Sequence, residues 1–252
     1  MITLITPTGV RKKQFELCAR WMRQQTYEGD VTWIIVDDGA QRTTDLITAD
    51  FRPRWTIEKI YPKPSWSHGM NTQGRNLGEA LMLIEKKYIN SECIFVIEDD
   101  DYYKPNYLER MIANFENYDL VGEKNTIYYN VNFRRHITNA NTAHASLFQT
   151  AFTPRLIPLV RSCLRHKFID AELWRLAHNK HLFKEDDLAV GIKGMPGRAG
   201  IGAGHGKLMN MKQDFNLLYL KKLIGNDTVH YERYYSNNSQ PRYDVLTHKR
   251  HR

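Results

Sequence analysis

An α/β fold with a mostly parallel central sheet flanked by helices is predicted here from three observations. Short β-branched or apolar runs alternate with segments of helical apolar spacing through the first half of the chain. The run Cys93-Ile94-Phe95-Val96-Ile97 is continuously apolar, as expected of a strand buried on both faces. Turn residues, Pro7 with Gly9 and then Asp37-Asp38-Gly39, punctuate the ends of the first two runs.

Taken in order, Ile2 to Thr6 predicts a strand stopped by Pro7, and Gln14 to Gln25 a helix with Phe15, Cys18, Trp21 and Met22 on its inner face. Val31 to Val36 and Trp55 to Tyr61 predict strands, Thr72 to Lys87 a helix, and Cys93 to Ile97 the buried strand. Pro105 and Asn106 open a helix from Tyr107 to Phe115. The second half is less regular: strands at Tyr118 to Glu123, Thr126 to Val131 and His144 to Phe152, then helices at Ile157 to Leu164 and Phe168 to Asn179. Leu188 to Lys193 reads as extended, Met195 to Lys207 as a glycine-rich loop, and Met211 to Leu223 as a helix. No internal repeat or low-complexity linker divides the chain.

With 252 residues, 42% of them hydrophobic, the chain is long enough for one well-cored domain. No apolar run approaches the ~20 residues that span a bilayer, and Met1 leads straight into Ile-Thr-Leu-Ile-Thr without a charged leader. A soluble, cytoplasmic chain with no membrane partner is the expectation. Cys18, Cys93 and Cys163 lie too far apart for a disulfide framework or a Cys-x-x-Cys metal clip. The net charge of +8 is concentrated in Arg11-Lys12-Lys13, Arg134-Arg135-His136 and the tail His248 to Arg252. That balance suits a polyanionic partner, and equally a positive cleft for a small anionic ligand. No helix-turn-helix, zinc-finger or RNP signature accompanies it.

Four acids, Glu98-Asp99-Asp100-Asp101, follow the apolar strand directly. Carboxylates crowded at the end of a buried parallel strand repel one another. A hard divalent cation, Mn²⁺ or Mg²⁺, relieves the repulsion and leaves coordination positions for a diphosphate. The competing reading is a solvated turn, or acids placed on the dipole of the following helix. The Gly74-Arg75-Asn76 segment opens a helix, where free N–H groups and the Arg75 fork suit a diphosphate, although Asn76 could simply cap. The glycine-rich loop around His205 suits a backbone close to a ligand, or a plain connector.

The ordered set Ile2 to Thr8, Val36-Asp37-Asp38-Gly39, Gly74-Arg75-Asn76-Leu77, Glu98 to Asp101 with Tyr103 and Pro105-Asn106-Tyr107-Leu108, Asp170-Ala171-Glu172-Leu173-Trp174, and His205 resembles family 2 glycosyltransferases of the GT-A fold. The resemblance is greatest to small members encoded by bacteriophages and prophages. It implies a Rossmann-like nucleotide-sugar half at about 1–104, an acceptor half at about 105–225, and a basic polar tail at 226–252.

The resemblance implies a UDP-sugar donor, with Thr6, Pro7 and Thr8 along the base and Asp37 or Asp38 accepting a hydrogen bond from uracil N3–H. Arg75 would meet the diphosphate. Asp101 would hold the metal, with Asp99 or Asp100 toward the ribose or as a second ligand, and His205 would complete the metal site. Asp170 would be the general base of an inverting reaction, although an Asp there also suits the N-cap of a helix beginning at Ala171. Two departures from the family pattern stand out: Glu98 where relatives often have Asp, and one residue fewer between Trp174 and Arg175. The phage-like resemblance together with the basic charge points to DNA, at 5-hydroxymethylcytosine, as the acceptor. The alternatives are a surface glycan or protein acceptor, or a catalytically silent scaffold that binds nucleic acid.

Overall fold

The computed structural model describes residues 1–185, 187–198 and 210–235. Its first sheet is built from β1 (Ile2–Thr8), β2 (Val31–Asp37), β3 (Trp55–Ile60) and β4 (Ile94–Val96). A short β5 (Tyr102–Tyr103) follows, and then β6 (Leu120–Glu123), β7 (Thr126–Asn130), β8 (Arg135–Asn139), β9 (Thr150–Phe152), β10 (Lys180–Phe183), β11 (Ala189–Lys193) and β12 (Lys212–Gln213). The helices are α1 (Lys12–Arg23), α2 (Gln73–Leu83), α3 (Tyr107–Ala113), α4 (Ile157–Cys163), α5 (Ile169–Leu176) and α6 (Leu218–Ile224).

Seven strands form the main sheet in the order β10-β6-β9-β4-β1-β2-β3. β1 pairs in parallel with both β2 and β4, and β9 is the antiparallel member between β4 and β6. A second sheet of five strands, β12-β8-β7-β11-β5, is mainly antiparallel apart from the β7–β11 pair. The mixed α/β architecture with a mostly parallel central sheet is thus as expected. Phe15, Cys18, Trp21 and Met22 of α1 are fully buried against it. Each such side chain contributes about 1.5–3 kcal/mol of hydrophobic stabilisation. All three cysteines are free and buried.

The differences from expectation have local causes. β1 continues through Pro7 to Thr8, because its register with β4 ends at Ile5 and beyond that point only β2 lies beside it. A proline is tolerated where one ladder is already absent. The strand expected over His144 to Phe152 is confined to β9, preceded by a 3-10 turn at Leu147–Gln149. The helix expected to reach Asn179 ends at Leu176, and the following Lys180–Phe183, for which no element was expected, pairs in parallel with β6. The helix expected from Met211 begins only at Leu218, because the Asp214 carboxylate accepts the N–H groups of Tyr219 and Leu220, both at 3.0 Å. β8 and β12 carry no continuous apolar run and were not expected. Tyr231 and Tyr234, in the stretch expected to be a polar tail, are buried in the larger core. Among the described residues no helix is long and apolar enough to cross a membrane.

Gly122 in β6 lies where β6, β9 and α5 close together. A Cβ there would stand 2.5 Å from Ala145 Cβ and 2.6 Å from Trp174 Cζ2. Gly122→Ala is therefore expected to destabilise the chain by about 1–3 kcal/mol, lowering its melting temperature. Gly78→Ala, whose added carbon would meet Leu164 Cδ1 at 3.3 Å, serves as the tolerated helical comparison. Equal melting of the two variants would contradict this packing.

Candidate functional site

A cleft opens at the carboxyl ends of β1 and β4, the edge of a parallel sheet where loops converge. Pro7, Thr8, Glu98, Asp99 and Asp100 line it, together with Lys167, Phe168, Ile169 and Asp170. Asp101 lies beneath, 1% exposed. β4 aims the acids: Ile97 N–H closes onto Ile5 O at 2.8 Å, and the Glu98 N–H donates to Tyr103 Oη at 2.8 Å. The chain therefore turns sharply with its carboxylates grouped.

Two cations hold this group together. Arg11 reaches Asp99 Oδ1 at 3.1 Å and Asp100 Oδ2 at 2.5 Å. Lys193, at the end of β11, reaches Asp101 Oδ1 at 2.8 Å and Asp100 Oδ2 at 3.8 Å. Thr8 Oγ1 donates to Asp99 Oδ2 at 2.6 Å, Gln73 Nε2 to Glu98 Oε1 at 2.7 Å, and the Ile192 N–H to Asp101 Oδ1 at 2.9 Å. Burial raises the Glu98, Asp99 and Asp101 carboxyls above their ordinary range; Lys193 or Arg11 opposes this, and repulsion from Asp100 adds to it.

One oxygen each of Glu98, Asp100 and Asp101 lies within 4.8 Å of the others. Asp101 Oδ2 is buried and accepts no hydrogen bond among the described residues. Oxygen donors alone, closely grouped, with one buried lone-pair site unused, fit a hard divalent cation. The grouping differs from expectation: Glu98 joins it, while Asp99 turns to Thr8 and Arg11. His205 lies outside the described residues.

Asp170 is the second residue of α5 and not its N-cap, a position taken by Phe168. Burial pushes its pKa up, opposed by the nearby backbone N–H group of Ala171, by His144, and by the N–H groups of Asp170 and Leu147. Asp170 and the acid cluster wall one cleft, although 68 or more residues separate them in sequence.

Several expected residues do other work. Thr6 is fully buried and accepts the Trp33 indole N–H at 2.9 Å, so it does not wall the cleft. The Asp37 carboxylate is spent on its own loop, accepting from the N–H groups of Gly39 at 3.0 Å and Thr43 at 2.8 Å. Asp38, 0% exposed, accepts from Thr72 Oγ1, from Asn76 Nδ2 at 2.8 Å, from Arg198 Nη1 at 2.8 Å and from Arg75 Nη2 at 3.3 Å. Arg75 divides its donors between Asp38 and Pro64 O, so it faces the loop after β2 and not the cleft. The Arg198 guanidinium also lies 4.8 Å over the Trp66 ring and donates to Thr72 Oγ1 at 2.7 Å. Gly9, at φ +149°, permits the close approach of Asp38: a Cβ there would stand 2.1 Å from Asp38 Oδ1.

The pairing of Arg11 and Lys193 with the acid cluster was not anticipated from sequence, where Lys193 was expected to neutralise a diphosphate. Arg11 follows β1 at the sheet edge that the acids share, and Lys193 ends an otherwise apolar strand. Either position signals a cation aimed at the cluster once the topology is known. Removing one partner of a buried ion pair costs about 3–5 kcal/mol. Lys193→Met is expected to melt lower by that order, and added Mn²⁺ to raise its melting temperature more than that of the wild type. Unchanged melting without metal would contradict the role given to Lys193.

The sequence profile of Glycosyl transferase family 2 matches residues 3–174. No curated protein sequence matches the chain significantly. Among solved structures, S. aureus TarS residues 1–349 in complex with UDP superposes with a TM-score of 0.56 at 14% identity, over 76% of this chain and 60% of that one. The same S. aureus protein in complex with UDP-GlcNAc gives 0.54 at 14%, over 77% and 59%. The mannosyltransferase PcManGT from Pyrobaculum calidifontis, in complex with GDP-Man and Mn²⁺, gives 0.52 at 11%, over 77% and 57%. Against the longer S. aureus TarS structure the chain covers 36% of the other's length. It thus spans between about a third and three-fifths of the proteins it resembles. These likenesses show a shared GT-A fold, and the match over residues 3–174 shows that this chain belongs to glycosyl transferase family 2.

Proposed function

We propose that the chain is a metal-dependent inverting glycosyltransferase that moves a sugar from a UDP-sugar to a hydroxyl acceptor, the 5-hydroxymethyl group of cytosine in phage DNA. The observation that carries the transfer reading is that Asp170 lines the same cleft as Glu98, Asp99 and Asp100. In an inverting transfer a donor diphosphate at the acids and an acceptor hydroxyl at Asp170 would approach the anomeric carbon from opposite sides. The +8 charge and the phage-like resemblance support the DNA acceptor.

In this reading residues 1–104 serve the donor and 105–225 the acceptor. Pro7 and Thr8 border the nucleoside, and Asp99 or Asp100 serves the ribose. Asp38 meets the base edge only after Arg198 gives up its place on that carboxylate. A divalent cation held by Glu98, Asp100 and Asp101, with His205 as a further candidate ligand, would supply positive charge to the diphosphate. Lys193 and Arg11 keep the acids grouped for that purpose. Asp170 accepts the proton of the acceptor hydroxyl as its oxygen bonds to the anomeric carbon; the bond from that carbon to the diphosphate breaks and UDP departs. The nearby backbone N–H groups of Ala171 and Leu147 favour the charged form of the Asp170 carboxylate that this task needs.

The test combines 5-hydroxymethylcytosine DNA, unmodified DNA and a panel of UDP-sugars with Mn²⁺, read by UDP release and nucleoside mass. Labelling confined to the hydroxymethylated DNA is expected. UDP release without DNA labelling would move the acceptor to a glycan or protein, and no release with any donor would leave a silent scaffold. Asp170→Asn should lower kcat by about 10²–10⁴-fold. Because Asp170 must be ionised to act and burial raises its pKa, the wild-type rate should fall with acidification through a pKa above the ordinary aspartate value of about 3.9. A rate independent of Asp170 would remove it as the base.

A further inference from the structure

Lys167 and Phe168 line the cleft beside Asp170, and with the preceding Arg165 and His166 they make a run of four exposed residues. Phe168 is 52% exposed and is the N-cap of the helix whose second residue is Asp170. Lys167 Nζ lies 5.4 Å from the Phe168 ring centroid, and both side chains border the cleft. The arginines nearby in sequence are ion-paired: Arg161 with Glu85, Arg155 with Asp119, and Arg175 with Glu172 at 2.7 Å. Arg165, His166 and Lys167 form no ion pair among the described residues. Glu172, whose field Arg165 and His166 share, is already held by Arg175 through two hydrogen bonds. The fold thus presents basic side chains without ion-pair partners among the described residues, beside a half-exposed aromatic ring at the start of the helix that carries the proposed base.

The geometry points to this strip as the seat of a single DNA strand, with phosphates on Arg165, His166 and Lys167 and a base stacked on Phe168. This rests on the DNA acceptor proposed above and says where and in what form that DNA binds. The pairing of cations with an exposed ring is what selects the occupant. A neutral glycan would use the ring and leave the cations idle, whereas an acidic protein surface would use the cations and leave the ring idle. A nucleic-acid strand uses both, because phosphates and base faces recur along it at a fixed spacing. A single strand also leaves its bases accessible, so a nucleobase adjoining the one on Phe168 can turn toward Asp170 without the cost of opening a duplex.

Fluorescence anisotropy with a labelled thymidine 12-mer tests the assignment on the full chain. Phe168→Ala should weaken binding by about 5- to 150-fold, the worth of one stacked base, and Phe168→Trp should restore it. Arg165→Ala with Lys167→Ala should reduce the dependence of log affinity on log salt by about 1.4, from about 0.7 per single-strand phosphate contact. Calorimetric UDP binding by the same variants reports the donor half separately, and their melting temperatures report folding. If the wild type binds the 12-mer and Phe168→Ala binds it within twofold, the strip is overturned while the DNA acceptor stands. Inorganic polyphosphate that displaces the 12-mer equally from wild type and Phe168→Ala would likewise overturn it, by reducing binding to charge alone. A wild type that binds UDP but no oligonucleotide, and labels none, would overturn the DNA reading and the strip together.

Discussion

The charged cluster of Glu98, Asp99, Asp100 and Asp101 with Arg11 and Lys193 is the constraint around which the rest of the structure is arranged. Buried acids at a strand end are tolerable only if cations and hydrogen-bond donors are held against them. The cations come from different layers: Arg11 from the turn after β1, Lys193 from β11 of the second sheet. Their pairing therefore ties the two sheets together across the cleft. The Ile192 N–H on Asp101 and the Lys193 ammonium act at the same carboxylate oxygen, which leaves Asp101 Oδ2 without a donor.

A second buried acid, Glu123, performs a related task away from the cleft. It ends β6, accepts from Gln149 Nε2 at 2.8 Å and the Leu188 N–H at 3.2 Å, and its pKa is pushed up to about 7 by burial. It joins the main sheet to the start of β11, so the strand that delivers Lys193 is fixed at both ends. Asp38 plays the corresponding part on the other side, gathering Thr72, Asn76, Arg75 and Arg198 onto one carboxylate. The loops around the cleft are therefore organised by three separate buried acidic centres.

Much of this was legible in sequence because it depends on local signals. β1 and β2 are β-branched, largely apolar runs closed by turn residues, β4 is continuously apolar, and the acids follow it directly. The cleft side of Asp170 was legible only through family resemblance, since its helix start offers ordinary capping chemistry. What sequence could not convey was partnership. Asp37 and Asp38 are adjacent, yet one holds its own loop and the other binds side chains 34 to 160 residues away. Arg75 looked free to meet a phosphate because Asp38 and Pro64 O come to it only through the tertiary fold. β12 is a strand because β8 offers it an edge, inside a stretch expected to be helical, and β10 pairs with β6 where no element was expected.

The central claim is that the cluster is a cation site with its open position at Asp101. Calorimetric titration of Mn²⁺ into the wild type and into Asp101→Asn, each with saturating UDP, tests it most directly. The wild type should bind the ion saturably, and Asp101→Asn should bind it at least about tenfold more weakly while melting as a folded protein. Equal affinity in the two proteins would contradict the claim and leave the acids as a purely structural partner of Arg11 and Lys193.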